Sequence, residues 1–414
     1  MWSRKHIAAS SIINSSANLF VPFALAWSYG IEYPAIWLSF RAFVQIIIAA
    51  TPNPISALIY LEPRPKRYVG IISFGYFLGG VGVLVSVCLY YFFAGKIVAL
   101  SVGEKTAFLI FSLCFLFSSY ESLVCRFRER SDFLLKASLL DLFFTLSAIL
   151  STFFFSFLLF ASLYCFKEFI KGAFLLYNRS KSEDVNSVFS VHVEYGKVIR
   201  YATSHAMRGG MQTLSQYGDR FIWPVLFGFE MAGKIVLGSS LGMLIAVLSS
   251  SAFAWSIPKV LKGEDIIDWL KDEWEKLISL SLILSFLVFL FFEFLFQFFN
   301  IGNKEDYNSA AISIGLMFSS VNSANILSIV AKPSRLRGYL YTLRYFCYLF
   351  ISYLAVWLSV KAGFDYKIAI LAGVGFSLFS YHSINGFDRF SLKSFMNVCL
   401  FLSVSSMILA VSYV

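Results

Sequence analysis

Six residues able to hold a charged, hydroxyl-rich molecule recur at helical spacing between 201 and 219: Tyr201, His205, Arg208, Gln212, Gln216 and Asp219. At 100° per residue they fall within an arc of about 80°, so a helix here carries one continuous polar stripe. Arg337, Tyr341, Arg344, Tyr348 and Ser352 repeat the pattern more weakly, and Ser11, Asn14 and Asn18 add polar groups ahead of Pro22. An arginine fork matches phosphate oxygens two at a time, and amide and hydroxyl side chains suit sugar hydroxyls. Gly209 and Gly210, then Pro224, punctuate the first stripe and permit a bend.

These residues sit in apolar surroundings, which makes them costly. Six basic residues, Arg41, Lys136, Arg208, Arg220, Lys234 and Arg344, lie within or at the ends of apolar stretches. On insertion scales each charge at mid-bilayer costs about 2.5 to 3.5 kcal/mol, so it must face a hydrated cavity, snorkel or pair. Lys136, Arg220 and Lys234 are near enough to stretch ends to snorkel, whereas Arg41, Arg208 and Arg344 are deeper. A stripe lining water and a polar seam bonded to neighbouring helices are the two readings, and six large groups each needing a buried partner favour the first. The expected lumen residues are Arg41, Arg208, Arg344, Gln212, Gln216, Asn14, Asn18 and Tyr341. Among the carboxylates Asp141 is near mid-depth, as an ion-coupling group or as the partner of a lumen arginine, and Asp219 is the second candidate, with pairing to a neighbouring base as its favoured alternative. Glu121 is expected at the membrane interface beside Arg126, Arg128 and Arg130, and Glu293 receives no role.

The elements that position these groups follow from composition. Of 414 residues 58% are hydrophobic and 14% charged, with 47 Phe and mean hydropathy +0.73, which excludes a water-soluble globular domain. Spans of about 20 residues, enough to cross about 30 Å of hydrocarbon, are expected at 7–29, 34–60, 69–94, 106–125, 133–152, 155–176, 199–226, 231–257, 277–299, 308–331, 338–360, 364–382 and 394–413. The first is too long for a signal-peptide core and lacks a cleavage site. Six cysteines without a C-x-x-C pair or partnering histidines argue against a disulfide or zinc framework.

Loop charge sets orientation. Twenty-three basic residues fall on one side, Lys167 and Lys171 counted among them, against five on the other, which places the N-terminus in the cytoplasm. The net charge of +10 is thereby explained by topology, and no nucleic-acid partner is expected. The Ser-rich stretch from Asn178 to Lys197 reads as a cytoplasmic linker, dividing the chain into 1–176, 177–198, 199–382 and 383–414. Tyr29-Gly30-Ile31-Glu32 recurs as Phe227-Gly228-Phe229-Glu230 in the equivalent turn of the second half. Six plus six helices leave 394–413 as an appended span, or one span is overcounted. Thr51-Pro52-Asn53-Pro54 is either a hinge within the second span or its end. Residues 266–274, with two tryptophans, read as an interfacial helix.

This arrangement resembles the multidrug, oligosaccharidyl-lipid and polysaccharide exporter superfamily, and within it the Wzx-type flippases of O-antigen repeat units. The resemblance rests on the two halves, Asp219-Arg220, the turn Phe227-Gly228-Phe229-Glu230, and Ile257-Pro258 before Lys262-Gly263-Glu264-Asp265. It implies an all-α polytopic fold, two six-helix bundles in a V around a central cationic cavity. It further implies a bacterial inner-membrane flippase that moves an undecaprenyl-pyrophosphate-linked oligosaccharide to the periplasmic leaflet by alternating access, without cofactor, with proton or sodium antiport as open alternatives. A polysaccharide polymerase, a chain-length regulator and membrane lipids are the implied partners.

Rival classes fit less well. Exporters of cationic drugs in the same superfamily would use acidic residues where this chain has arginine, and a lipid II flippase would use the same cationic site for the same pyrophosphate. A glycan polymerase would need a large outside loop, and an acyltransferase a reactive histidine, whereas only His205 lies within a span.

Overall fold

The computed structural model describes residues 4–51, 69–94, 101–127, 131–182 and 217–237, with scattered helical positions between 202 and 214 and between 354 and 363. Seven helices are complete among these: α1 (Arg4–Tyr29), α2 (Glu32–Ala50), α3 (Val69–Ala94), α4 (Val102–Phe127), α5 (Ser131–Thr152), α6 (Phe157–Ser182) and α7 (Asp219–Phe227). The described residues hold helices and turns and no strand, so the all-α reading stands. The stretches Glu32–Ala50, Gly75–Phe92, Val102–Ser122 and Asp132–Thr152 are long and apolar enough to cross a membrane.

Helix ends follow local chemistry. Ser101 and Glu104 form a reciprocal capping box at the start of α4: the Ser101 amide donates to Glu104 Oε2 at 2.8 Å, and the Glu104 amide to Ser101 Oγ at 3.3 Å. α2 stops at Ala50, where the Thr51 hydroxyl donates back to the Ile47 carbonyl at 2.8 Å and Pro52 follows. The span expected over 34–60 is therefore shorter in its described part, and residues 52–60 lie outside the described residues. α6 runs on to Ser182, six residues beyond the expected end at 176, into the stretch read as linker.

The helices turn apolar stripes outward and enclose, beside an aromatic core, a set of polar and charged groups. Phe77, Val81, Leu84, Val85, Leu89 and Phe92 form an exposed stripe on α3, and Leu139, Phe143, Leu146 and Leu150 form one on α5. α2 is enclosed nearly all round. Its Trp37 is fully buried among Phe108 and Phe111 of α4 and Phe157, Phe160 and Tyr164 of α6, with ring centroids 5.0 to 6.4 Å away. Phe40 stacks on Phe108 at 4.2 Å. α6 packs most extensively on α4, then on α5.

By packing the chain parts into two compact units, residues 1–24 with 37–221, and residues 25–36 with 222–414. The second contains both turns of the sequence repeat. Gly30 has φ +117° and Gly228 φ +83°, so each closes its helix in the left-handed region that glycine enters without strain. The Gly30 amide bonds the Ala26 carbonyl at 3.1 Å, and the Gly228 amide bonds the Pro224 carbonyl at 3.0 Å, the same i to i−4 closure twice. Gly233 lies against the Ile31 carbonyl so closely that no side chain could stand there.

Several expectations change. Lys167 and Lys171, counted with a cytoplasmic loop, belong to α6 and face the bundle interior, because ionic partners on α5 and α6 stabilise them there. Glu121, expected at the interface, is fully buried and accepts the Tyr76 hydroxyl at 2.7 Å. Arg220, expected to snorkel, is buried with its guanidinium 4.9 Å from the centre of the Tyr217 ring. Lys136 is exposed, as a snorkelling residue would be.

Candidate functional site

The polar interior of the first unit is assembled from α1, α2, α4, α5 and α6. On α6, residues three, four and seven apart share a face, which puts Tyr164, Lys167, Glu168 and Lys171 together and turns Leu158, Phe166, Phe169 and Leu176 outward. α5 presents Asp141 and Thr145 one turn apart. Lys167 Nζ lies 3.3 Å from Asp141 Oδ1 and 3.4 Å from Glu168 Oε1, with 1% of its side chain exposed. It also donates to Thr145 Oγ1 at 3.4 Å and sits 4.2 Å above the Tyr164 ring. Lys171 Nζ lies 3.3 Å from the same Asp141 oxygen, with 19% of its side chain exposed. The Ser118 hydroxyl of α4 donates to the second Glu168 oxygen, Oε2.

The other flank is built differently. Arg41 of α2 donates from Nη1 to Asn18 Oδ1 of α1 at 3.0 Å, and the Tyr164 hydroxyl donates to that same oxygen at 3.2 Å. Arg41 Nε is buried without a hydrogen-bond partner, as is Oε1 of Gln45, one turn further along α2. Leaving such a group unpaired costs about 1 to 3 kcal/mol, so it is retained only where something else gains. In this cluster three cations (Arg41, Lys167, Lys171) stand with two carboxylates (Asp141, Glu168), and a third carboxylate, Glu121, is buried on α4 one turn from Ser118. That interior can hold an anion, with Arg41 the group whose charge no carboxylate contacts among the described residues.

Of the residues expected at the site, the structure brings Arg41, Asn18 and Asp141 into one interior. Asn14 lies on α1 and Asp219 opens α7, but their side chains are outside what is described. Arg208, Gln212, Gln216, Tyr341 and Arg344 lie outside the described residues, as do Glu293, 266–274 and the appended span. Tyr164, Lys167, Glu168 and Lys171 were missed, although their spacing on one face of an apolar stretch was the same signal that singled out the stripe of 201–219. Groups of three or more potential metal ligands do not occur among the described residues.

No protein-family model matches the chain. No curated protein matches it either. Solved structures do. The lipid II flippase MurJ in an inward closed conformation aligns with TM-score 0.63 at 12% identity, covering 98% of this chain and 92% of that one. A mutant of the Vibrio cholerae MATE transporter VcmN aligns with TM-score 0.63 at 14% identity, covering 95% and 98%. The MATE multidrug transporter DinF-BH aligns with TM-score 0.62 at 12% identity, covering 92% and 93%. At such identities the likeness establishes the fold, and this chain has the helical fold of these membrane transporter structures.

Proposed function

We propose that the protein is a membrane flippase of the multidrug, oligosaccharidyl-lipid and polysaccharide exporter type, moving undecaprenyl-pyrophosphate-linked oligosaccharide repeat units from the cytoplasmic to the periplasmic leaflet of the bacterial inner membrane. One observation carries the reading: a half-buried arginine, Arg41, whose hydrogen-bond partner is the neutral Asn18 and whose charge no carboxylate contacts among the described residues. A pyrophosphate supplies the oxygens such a guanidinium lacks, and the amides and hydroxyls around it suit the attached sugars. The fold shared with flippase and multidrug transporter structures supports movement of substrate over chemistry on it. An arginine that no described carboxylate contacts favours an anionic head group over a cationic drug. The N-terminus lies in the cytoplasm, and two six-helix bundles open alternately on either side of a lumen to which Arg208, Gln212, Gln216, Tyr341, Arg344 and Asn14 contribute. Coupling is to proton or sodium antiport, with Asp141 and Asp219 as its candidates. A polymerase and a chain-length regulator act on the exported unit.

Complementation tests this. The gene is deleted in its host, and surface polysaccharide is stained with wild-type, Arg41→Ala, Arg208→Ala and Arg344→Ala chains, each checked for membrane insertion. Loss of long-chain glycan, with lipid-linked repeat units accumulating in the inner leaflet, is expected for the deletion and all three variants. Normal export by the inserted variants overturns the cationic lumen. Accumulation of lipid II with intact surface glycan assigns the cargo to peptidoglycan synthesis instead.

A further inference from the structure

The two lysines of α6 hold Asp141 in unequal ways. Lys167 is enclosed: besides Asp141 it has Glu168 at 3.4 Å, Thr145 at 3.4 Å and the Tyr164 ring, and its side chain is 1% exposed. Lys171 has Asp141 at 3.3 Å, is 19% exposed, and lies one helical turn nearer the Ser182 end. If Lys171 swings away, Asp141 keeps Lys167 and Lys167 keeps Glu168, so every remaining ion stays paired. If Lys167 were lost, Glu168 would keep no cation in this cluster. The cluster is therefore built so that one of its cations can leave. A lysine on a flexible stem is suited to that, since it acts as a point charge without a fixed fork to realign. Its position four residues from Lys167 and seven from Tyr164 keeps it on the interior face.

We propose that Asp141 is a resident counter-ion that competes with an incoming pyrophosphate for Lys171, making Lys171 a second anion-binding residue of the lumen beside Arg41. The inference deepens the flippase reading and rests on its anionic substrate. A group carrying several negative charges outcompetes one carboxylate for the ammonium, while a neutral or cationic molecule leaves the Asp141 pair closed. The resident carboxylate thus acts as a selectivity threshold, and it returns to Lys171 when the anion leaves. With Asp141 in this role, ion coupling falls to Asp219.

Affinity for inorganic pyrophosphate and for geranylgeranyl pyrophosphate is measured by calorimetry on the full-length protein in detergent micelles. Wild type, Asp141→Asn, Lys171→Gln, Lys171→Arg and the Asp141→Asn/Lys171→Gln pair are compared. Asp141→Asn is expected to tighten both probes about fivefold to tenfold, Lys171→Gln to weaken them about tenfold, and the double variant to bind no more tightly than Lys171→Gln alone. Lys171→Arg restores binding. Unchanged or weaker binding by folded Asp141→Asn, a gain that survives in the Lys171→Gln background, or no binding by wild type overturns the proposal. Should Asp141→Asn not fold, equal affinity of Lys171→Gln and wild type overturns it alone. Tighter binding of the prenylated probe supports a lipid-linked source, and equal affinity overturns that part in favour of a free anion. Lys171-dependent binding in a protein that fails to restore export sinks the flippase reading and keeps the counter-ion. Restored export without Lys171 dependence does the reverse.

Discussion

Two regions of one bundle bury cations by different means. Between α5 and α6, Lys167 lies 3.3 Å from Asp141 and 3.4 Å from Glu168, Lys171 lies 3.3 Å from Asp141, and ion answers ion. Between α1 and α2, Arg41 meets the neutral amide of Asn18. The depths are alike, Arg41 being nine residues past the first of α2 and Lys167 ten past the first of α6. The difference is one of partners and of burial, Lys167 being enclosed and Arg41 half-buried. A closed ionic cluster cancels the field of its own charges, while an arginine on an amide keeps its charge available to something else. Tyr164 joins the two regions, its hydroxyl on Asn18 and its ring under Lys167.

The contrast can be broken by mutation, the largest effect belonging to the ionic side. Lys167→Met leaves Asp141 with Lys171 alone and Glu168 with no cation in the cluster, and should destabilise by about 3 to 5 kcal/mol, seen as a lower thermal midpoint in detergent. Adding Glu168→Gln should recover part of that loss, and no recovery would show that Lys167 acts through packing. Arg41→Met strands no carboxylate, so stability should move by less than about 1 kcal/mol while export falls to the level of the deletion. A thermal loss equal to that of Lys167→Met would erase the distinction. The smallest effect is expected from Tyr164→Phe, which removes one hydrogen bond and keeps the ring, costing about 1 kcal/mol. A loss approaching that of Lys167→Met would mean that the two regions form a single network.

Much of the fold was legible in the chain. The span expected at 69–94 is α3 (Val69–Ala94), and those expected at 106–125 and 133–152 are α4 and α5 with a few residues added at their ends. Long apolar runs admit little else, because a backbone in lipid must satisfy its hydrogen bonds internally. The paired turns were legible too, since a glycine between two helices is the residue that enters the left-handed region freely, and Gly30 and Gly228 both do. The site was legible in part. Arg41, Asn18 and Asp141 stood out because charged and amide groups are costly in hydrocarbon. Lys167 and Lys171 were lost to a loop count, although Lys167 falls near the middle of the span expected at 155–176; Lys171, closer to its end, can snorkel outward or turn inward, and its sequence looks the same in both cases.

The order of residues is enough to settle that this chain crosses a membrane many times as helices, and which polar residues share a helical face, because hydrocarbon and a period of 3.6 residues leave no other arrangement. It did not determine what each face meets. That Asp141 is held by two lysines of α6 rather than by Arg41, and that Arg41 is left with an amide, was decided by how α1, α2, α5 and α6 pack. A helical period fixes direction around one axis. Whether a buried charge is cancelled or kept available depends on a few ångströms between axes, and those are set only when the helices are brought together.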